Sequence, residues 1–499
     1  MKKLLDVDNF GAIDADNDVL LLECFEDHEA FLQIKDRTRF LIVGRKGSGK
    51  TSIFKKMLRD KHHQYFCFGH TFSDYPWHHH DLQARVGIPD SDKFTHSWKY
   101  LILLTASKII LNSDNSLSID EESMDLMVRI EKFVVDSYGS KDPDVTQIFT
   151  PSKTLKLKPS FELDLKLFKA GITPENFPIS ELPVIVQDLN INLQKYILRC
   201  LNPKHDYFIC FDELDLGFNP DDGNYNSRLI GLLLAARDIN IAAREAGKKL
   251  FIVIFLRDDI YNTLHFEDKN KITENSLSLI EWDTQRTQKT LKGLMEKRFK
   301  AVLGGHPTWE DVFDESKEMP GHQRKYQHIL DRTYLRPRDV IKFCNSVLAQ
   351  YKHRKNQDAS AGEKFENVDL NEARSDYSNY LISELDDEIH KHLPYHEGLI
   401  ELLRKIGVWQ FTSDEFNAEY AKEPLPNVSA EDALKRLYEF SFIGFYRPGG
   451  GGYGGSEYVF KYKEPKIRFD STSSRFRIHV GLIEVLGLKR HGGRSVEAA

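Results

Sequence analysis

Eight residues near the N-terminus have the spacing of a phosphate-binding loop. Gly44-Arg-Lys-Gly-Ser-Gly-Lys-Thr51 follows the apolar run Arg39-Phe-Leu-Ile-Val43 and precedes the helix-like segment Ser52–Leu58. In this G-x-x-x-x-G-K-[ST] pattern, backbone N–H groups and a helix N-terminus point at phosphate oxygens. The lysine contacts the β- and γ-phosphates, and the hydroxyl after it binds Mg²⁺. We therefore predict a site for ATP and Mg²⁺, with these nucleotide-binding residues: Gly44, Arg45, Lys46, Gly47, Ser48, Gly49, Lys50, Thr51 and Ser52.

A second apolar run ends in two acids. Tyr207-Phe-Ile-Cys-Phe211 reads as a buried strand, and Asp212-Glu213 follow it directly. Ligands of open α/β sheets bind at the carboxyl ends of the strands. We predict that Asp212 holds Mg²⁺ together with Thr51, and that Glu213 deprotonates the attacking water. The alternative is that these acids only cap the next helix.

Two arginines are candidates for contact with the γ-phosphate. Arg257 ends a third apolar strand, Leu250–Leu256, whose tip is expected between the ends of the other two strands. It is either a phosphate sensor or an ion-pair partner of Asp258 or Asp259. Arg338 stands at the start of a predicted helix, where AAA+ ATPases keep a sensor arginine, with Arg336 as the fallback. The alternative is that Arg338 is a plain surface arginine. The predicted catalytic residues are thus Glu213, Lys50, Arg338 and Arg257.

The order of the remaining elements predicts the fold class. Strands alternate with helical patterns up to a fourth strand at Ser276–Ile280, which is typical of a parallel α/β sheet of the P-loop NTPase kind. We predict an ATPase core over 1–283 with an inserted hairpin at 154–168, a helical lid over 284–390, and a winged-helix-like domain over 391–499. Segment 354–376 is interpreted as a surface connection.

The C-terminal prediction depends on three helices and a hairpin. Helical periodicity covers 395–406 and Ser413–Tyr420, and a third helix follows Ser429. No strand is expected between Asp283 and about residue 441. Two strands, Phe442–Tyr446 and Tyr458–Tyr462, then flank a glycine-rich tip. The third helix is charge-balanced, so a DNA partner and a protein partner both remain open.

Composition excludes several classes of protein. The 499 residues carry a formal charge of −7, which does not demand a nucleic-acid partner, and no apolar run is long enough for a membrane span. The five cysteines lack CxxC spacing, and the N-terminus does not read as a signal peptide. We therefore expect a cytoplasmic protein. Tyr75–His80 is interpreted as a loop rather than a metal site.

These motifs together resemble the prokaryotic FunZ-type P-loop ATPases, relatives of the AAA+ ATPases of the origin-recognition type and of STAND-like NTPases. The resemblance rests on these blocks: Asn9–Ala15, Gly44–Thr51, Phe211–Glu213, Leu256–Ile260, Trp282 with Arg298, Arg336–Asp339 and Phe476–Leu482. It implies an ATPase core, a helical lid, a winged helix and oligomerisation. A role on DNA or in phage defence follows only by analogy.

Two functions of different classes remain open. The first is an ATP-driven switch or motor, with ATP between core and lid and with Arg257 or Arg298 as a finger to a neighbouring subunit. The second is a nucleotide-sensing module with slow hydrolysis, whose winged helix engages DNA or a protein. A small-molecule kinase is disfavoured by the paired acids and the long lid.

Overall fold

The computed structural model describes the chain in segments, which fall into two compact units. The described residues are 2–60, 62–72, 90–114, 120–144, 154–155, 177–178, 182–216, 223–284, 289–390, 392–393, 395–449 and 455–489. Residues Asp27–Arg45 and Lys50–Ile280 form the first unit, here called the sheet unit. Residues Met1–Glu26, Lys46–Gly49 and Glu281–Ala499 form the second, called the helical unit.

The sheet unit is built on a parallel β-sheet. Its described strands are β1 Leu41–Gly44, β2 Tyr65–Thr71, β3 Thr154–Leu155, β4 Phe177–Pro178, β5 Asp206–Asp212, β6 Leu250–Arg257 and β7 Leu277–Leu279. Five of them pair in parallel in the order β2-β5-β6-β1-β7, while β3 and β4 pair antiparallel. The predicted α/β class is confirmed. Strand β2 was not predicted, because Gly69 and His70 interrupt its apolar run.

Strand β6 occupies the centre of this sheet. All eight of its residues are buried, as expected for a strand with neighbours on both edges and helices on both faces. It pairs with β1 through Leu41 opposite Ile254, and with β5 through Tyr207 opposite Leu250. The prediction that its tip lies between the ends of the other two strands is confirmed. Asp212 and Arg257 therefore end adjacent strands.

Helices flank the sheet within the same unit. They are α1 Glu29–Lys35, α2 Lys50–Arg59, α3 Asp90–Asn112, α4 Glu121–Tyr138, α5 Leu182–Cys200, α6 Gly223–Glu245, α7 Asp258–Thr263 and α8 Lys269–Ser276. Helices α3 and α6 approach closely at Gly231, where an added Cβ would lie only 2.7 Å from the Cβ of Phe94. The indole N–H of Trp98 donates to the carbonyl of Arg228 at 2.8 Å and fixes their register.

The helical unit contains most of the remaining helices. They are α9 Leu291–Leu303, α10 Trp309–Val312, α11 Lys325–Arg332, α12 Pro337–Gln357, α13 Asn367–Ile389, α14 His396–Ile406, α15 Ser413–Tyr420, α16 Ala430–Glu439 and α17 Ile483–Leu486. Helix α12 starts with Pro337 in its first turn, as predicted. The prediction of a surface connection over 354–376 is wrong, because α12 runs to Gln357 and α13 begins at Asn367. Arg354 joins the two helices by donating to Asp369 at 2.8 Å.

The N-terminal segment is part of the helical unit and is held by a buried ion pair. Arg298, on α9, donates to Asp18 at 2.6 Å and to the carbonyl of Phe10 at 2.8 Å. Asn345 on α12 accepts from the Phe10 N–H and donates to the Gly11 carbonyl. Gly11 has a φ of +112°, and a Cβ there would overlap the Arg298 guanidinium. This is the physical reason for glycine at that position.

Four strands and three helices form the C-terminal part of the helical unit. Strands β8 Gln410–Thr412, β9 Ile443–Arg447, β10 Glu457–Val459 and β11 Arg475–Ile478 pair in the antiparallel order β10-β9-β11-β8. One face packs on the helices, with Phe411 against Phe416 of α15 and Phe445 against Tyr438 of α16. The three predicted helices are confirmed as α14, α15 and α16. Strands β8 and β11 were missed, since each is at most four residues long.

Two predicted features fall wholly or largely outside the described residues. Of the hairpin at 154–168 only Thr154–Leu155 is described, and it pairs with Phe177–Pro178. Tyr75–His80 lies entirely outside the described part of the chain. Across the described residues, no helix combines the length and apolar character required to cross a bilayer.

Candidate functional site

The loop Gly44–Thr51 joins β1 to α2, as the motif predicts. The Lys50 ammonium folds back over the loop and donates to the carbonyls of Gly44 at 2.8 Å and Arg45 at 3.0 Å. Removal of water around this ammonium lowers the pKa of Lys50, although nearby acids such as Asp215 and Asp212 oppose the shift. Gly47 and Gly49 have φ values of +79° and +107°, which only glycine adopts readily.

Asp212, at the end of β5, lies in the immediate environment of the loop. Its side chain accepts hydrogen bonds from the Thr51 hydroxyl and the Glu213 N–H. It is 2% exposed, and burial raises its pKa to about 6 despite these donors and the nearby Lys50 ammonium. Its Oδ2 has no hydrogen-bond partner among the described residues. A buried carboxylate oxygen with spare capacity beside a threonine hydroxyl is a donor set that suits Mg²⁺.

The raised pKa of Asp212 predicts a pH-dependent stability. The folded pKa of about 6 exceeds the ordinary 3.8, so the stability that this group contributes is present below pH 4 and lost as the pH rises through 6. The loss amounts to about 3 kcal/mol. Asp212→Asn cannot ionise, so in EDTA we expect its free energy of unfolding to rise relative to wild type between pH 4 and pH 7, as measured by urea denaturation.

Asp206→Asn provides the control for this experiment. Asp206 begins the same strand, is partly exposed and pairs with Arg37, so its loss reports the general effect of removing one carboxylate from β5. Parallel pH profiles for wild type and Asp212→Asn would contradict the assignment of the shifted carboxyl group to Asp212.

Glu213 adopts a backbone conformation that few non-glycine residues take. Its φ is +60°, in the left-handed region, and its side chain is partly exposed. The flanking residues Asp212 and Leu214 are both buried. Strained backbone of this kind occurs frequently at functional sites. The sequence gives no signal for it.

Arg257 is engaged in ion pairs. The side chain is 6% exposed, and it binds both oxygens of Asp259 at 3.0 and 2.6 Å. It also donates to Asp215 at 3.2 Å. Of the two predicted alternatives, the ion pair is thus present, and Asp259 is a partner of Arg257 in it. Asp215 was not predicted as a partner, although it follows the Asp212-Glu213 pair by only two residues.

The middle of the loop, Lys46–Gly49, belongs to the helical unit, where both predicted lid arginines contact it. Arg336 is 1% exposed and donates to the Lys46 carbonyl at 2.9 Å. It also binds Asp339 through two hydrogen bonds of 2.9 Å and Glu388 at 2.7 Å. Arg338 packs against Gly47, where an added Cβ would lie 3.1 Å from its Cδ. Its Nε has no hydrogen-bond partner among the described residues.

Acids near the end of α13 hold the cations of this group. The Lys46 ammonium lies 2.9 Å from Asp387 and 3.6 Å from Glu384. Glu384 also accepts from Arg338 at 2.9 Å. These carboxylates were not predicted; their signal is the acidic run Glu384-Leu-Asp-Asp-Glu388.

Ser48 and Trp282 complete the contacts of the loop within the helical unit. The Trp282 indole N–H donates to the Ser48 carbonyl at 3.0 Å. Ser48 is buried, and its hydroxyl has no hydrogen-bond partner among the described residues. A buried hydroxyl on a glycine-rich loop has spare capacity for a phosphate oxygen.

Comparison with known proteins gives one match to a protein-family model. Residues 289–386 match the FunZ-associated C-terminal helical domain. The match runs from just before α9 almost to the end of α13, so it contains Arg336, Arg338 and Glu384. The FunZ-type resemblance is thereby supported for this part of the chain. The FunZ-associated domain is helical here, in agreement with its description.

A curated relative extends the similarity beyond the FunZ-associated domain. The "Putative transposon gamma-delta 80.3 kDa protein" of Escherichia coli (strain K12) is 24% identical over 414 residues. The match covers 80% of this chain but only 54% of the relative. The chain therefore spans about half the length of that protein.

Proposed function

We propose that this protein binds ATP with Mg²⁺ on the Gly44–Thr51 loop and hydrolyses it. The observation that carries the proposal is the grouping of Lys50, Thr51 and Asp212 in the sheet unit. Thr51 bonds to a buried Asp212 whose second oxygen has no partner among the described residues, and Lys50 is the nearby cation. A strand, a glycine-rich loop and a helix that begins at Lys50 support the P-loop interpretation.

Each residue of this group has a distinct role in the proposal. Lys50 neutralises the β- and γ-phosphates, exchanging its carbonyl partners for phosphate oxygens. Thr51 and Asp212 would hold Mg²⁺, which supplies charge neutralisation on the phosphates when it is bound. Glu213 takes a proton from the attacking water.

Arg338 is the proposed phosphate-sensing arginine. It lies against Gly47, a residue of the loop itself, and its Nε has no partner in the described part of the chain. Arg336, the fallback, uses its guanidinium on Asp339, Glu388 and the Lys46 carbonyl, which suits a structural role. Arg257 and Arg298 are each buried in ion pairs, so a finger role would require these pairs to break.

Lys50→Ala tests the proposal directly. We expect a loss of ATP affinity of at least about tenfold, since a charge-assisted hydrogen bond contributes about 1.5–3 kcal/mol. The measurement is binding of a fluorescent ATP analogue with Mg²⁺, together with phosphate release. Lys55→Ala, on the same helix, is the control and should bind like wild type. Equal affinity in both variants would refute nucleotide binding on this loop.

The C-terminal part is proposed to be a winged helix that engages a partner. Three helices together with a small antiparallel sheet support this interpretation. The word transposon in the relative's name makes DNA a reasonable partner to propose. Whether the protein is a motor or a slow nucleotide sensor depends on turnover. The buried pairing of Arg257 with Asp259 and Asp215 favours the sensor, because it occupies one candidate catalytic arginine.

A further inference from the structure

The outward face of the C-terminal sheet has an unusual composition. Residues directly opposite in antiparallel strands share a face, and Tyr446 pairs with Tyr458 while Arg477 pairs with Gly444 and Gln410. These residues lie on the face opposite to Phe445 and Phe476, which pack towards the helices. Tyrosine and arginine therefore form the side of the sheet away from α15 and α16.

These side chains form a continuous row of arginine–ring and ring–ring contacts. The Arg477 guanidinium lies 3.9 Å from the Tyr458 ring centroid and 4.8 Å from that of Trp409. Tyr446 contacts the Tyr458 ring at 5.4 Å, and Arg475 lies 5.7 Å from the Tyr446 ring. The order Trp409, Arg477, Tyr458, Tyr446, Arg475 is here called the arginine–aromatic row. Arg475 is exposed, and the other four members are partly exposed.

The row carries positive charge without a carboxylate to neutralise it. Among the described residues, Arg475 and Arg477 have no Asp or Glu within ion-pair distance, whereas Arg447 on the same sheet pairs with Glu457 and Glu464. The amide oxygen of Gln410 accepts from Arg477 at 2.6 and 2.9 Å and orients that guanidinium. The row is therefore ordered, cationic and aromatic.

The third helix offers a poorer surface for an anionic polymer. On α16, Asp432 caps the helix with Ser429, and Glu439 lies 3.4 Å from Lys461. Arg436 donates to the carbonyl of His392. Glu431, Asp432 and Glu439 outnumber Lys435 and Arg436, so the helix has no net positive charge. The arginine–aromatic row is therefore the more positively charged of the two surfaces.

We propose that the arginine–aromatic row binds single-stranded nucleic acid. Unstacked bases can lie on exposed rings, and guanidinium groups between the rings meet the phosphates. Bases in a duplex are stacked on each other and cannot do so, which selects single strands. Binding in this way is independent of the proposed ATPase activity, because it uses other residues.

The test is fluorescence anisotropy of the full chain with a labelled oligothymidine, without ATP or Mg²⁺. We expect Tyr446→Ala to weaken binding by about tenfold. Arg475→Glu with Arg477→Gln should flatten the slope of log affinity against log salt by about 1.4, or about 0.7 per lost phosphate contact. Arg475→Glu alone, at an exposed position, keeps the test valid if the double variant is unstable.

Lys435→Glu on α16 is the matched control, since it makes the same charge reversal on the helix. Melting temperatures should match wild type for Lys435→Glu and Arg475→Glu. Binding of either oligothymidine or oligouridine supports the proposal, and the tighter of the two identifies DNA or RNA. Absence of binding, equal affinity for a duplex, or equal loss in Lys435→Glu overturns it. Lys50→Ala should retain binding, so failure here is separable from failure of ATP binding.

Discussion

Glu213→Gln is expected to lower ATP turnover by about 100-fold to 10,000-fold while ATP remains bound. The amide keeps the size and the hydrogen-bonding capacity of the side chain but cannot take a proton from water. Lys50, Thr51 and Asp212 are unchanged, so affinity for ATP should stay within about twofold of wild type. Single-turnover phosphate release and equilibrium binding of ATP measure the two quantities separately.

The left-handed backbone at Glu213 allows a second variant that separates chemistry from structure. Glu213→Gly removes the carboxylate and also relieves the strain at φ +60°, which costs about 1 kcal/mol or more for a residue with a side chain. We expect this variant to be as stable as wild type or more so, yet inactive in turnover. Glu245→Gln, on the exposed end of α6, is the neutral control. Wild-type turnover in Glu213→Gln would remove Glu213 from the mechanism.

Arg336→Met is expected to reduce the stability of the helical unit by about 3–5 kcal/mol. The substitution leaves Asp339 and Glu388, which are 0% and 5% exposed, without their main cation. It also removes the donor to the Lys46 carbonyl. Hydrogen exchange of α12 and α13 amides, followed by mass spectrometry, reports the stability of this unit without requiring the whole chain to unfold in one step.

Two further variants make this prediction specific. Arg336→Lys keeps the charge but loses the two-bond contact with Asp339. Its loss of stability in the helical unit should therefore lie between those of wild type and Arg336→Met. Arg338→Met removes a partly exposed arginine with a single carboxylate partner, and it should cost less than about 1 kcal/mol while lowering turnover. A larger loss of protection in Arg338→Met than in Arg336→Met would reverse the assigned roles.

Long, continuously apolar segments were the part of the fold that sequence could predict. Strands β5 and β6 are buried along almost their whole length, so hydrophobicity alone locates them. Strand β8 has one buried residue of three, and its pairing with β11 depends on a segment 63 residues further along the chain. Tertiary pairing of this kind leaves no local pattern. The first part of α13, over 367–376, was not predicted, because its many polar residues suggested a surface connection. The capping box at Glu366 marks the start of this helix.

The candidate site divides in the same way. The loop residues were predicted from the spacing of the G-x-x-x-x-G-K-[ST] motif. The acids at the end of β5 were predicted from the apolar run that they follow. The partners of Arg257 and Lys46 come from folding, since Asp215 and Asp387 reach these cations only through the tertiary structure. The positive φ of Glu213 likewise belongs to the folded chain and leaves no pattern in the sequence.

The carboxylates at the end of α13 have a consequence for the kinetics of nucleotide exchange. Glu384 and Asp387 pair with Lys46, and Glu384 also pairs with Arg338. These carboxylates therefore compete with phosphate groups for the two cations. If phosphates need either cation, apparent affinity equals the intrinsic affinity multiplied by the fraction of molecules in which the carboxylates have released it. The same competition lets a carboxylate recapture the cation as phosphates leave, which shortens the residence time of the product. Under the proposed function, we expect a protein arranged in this way to release its product quickly.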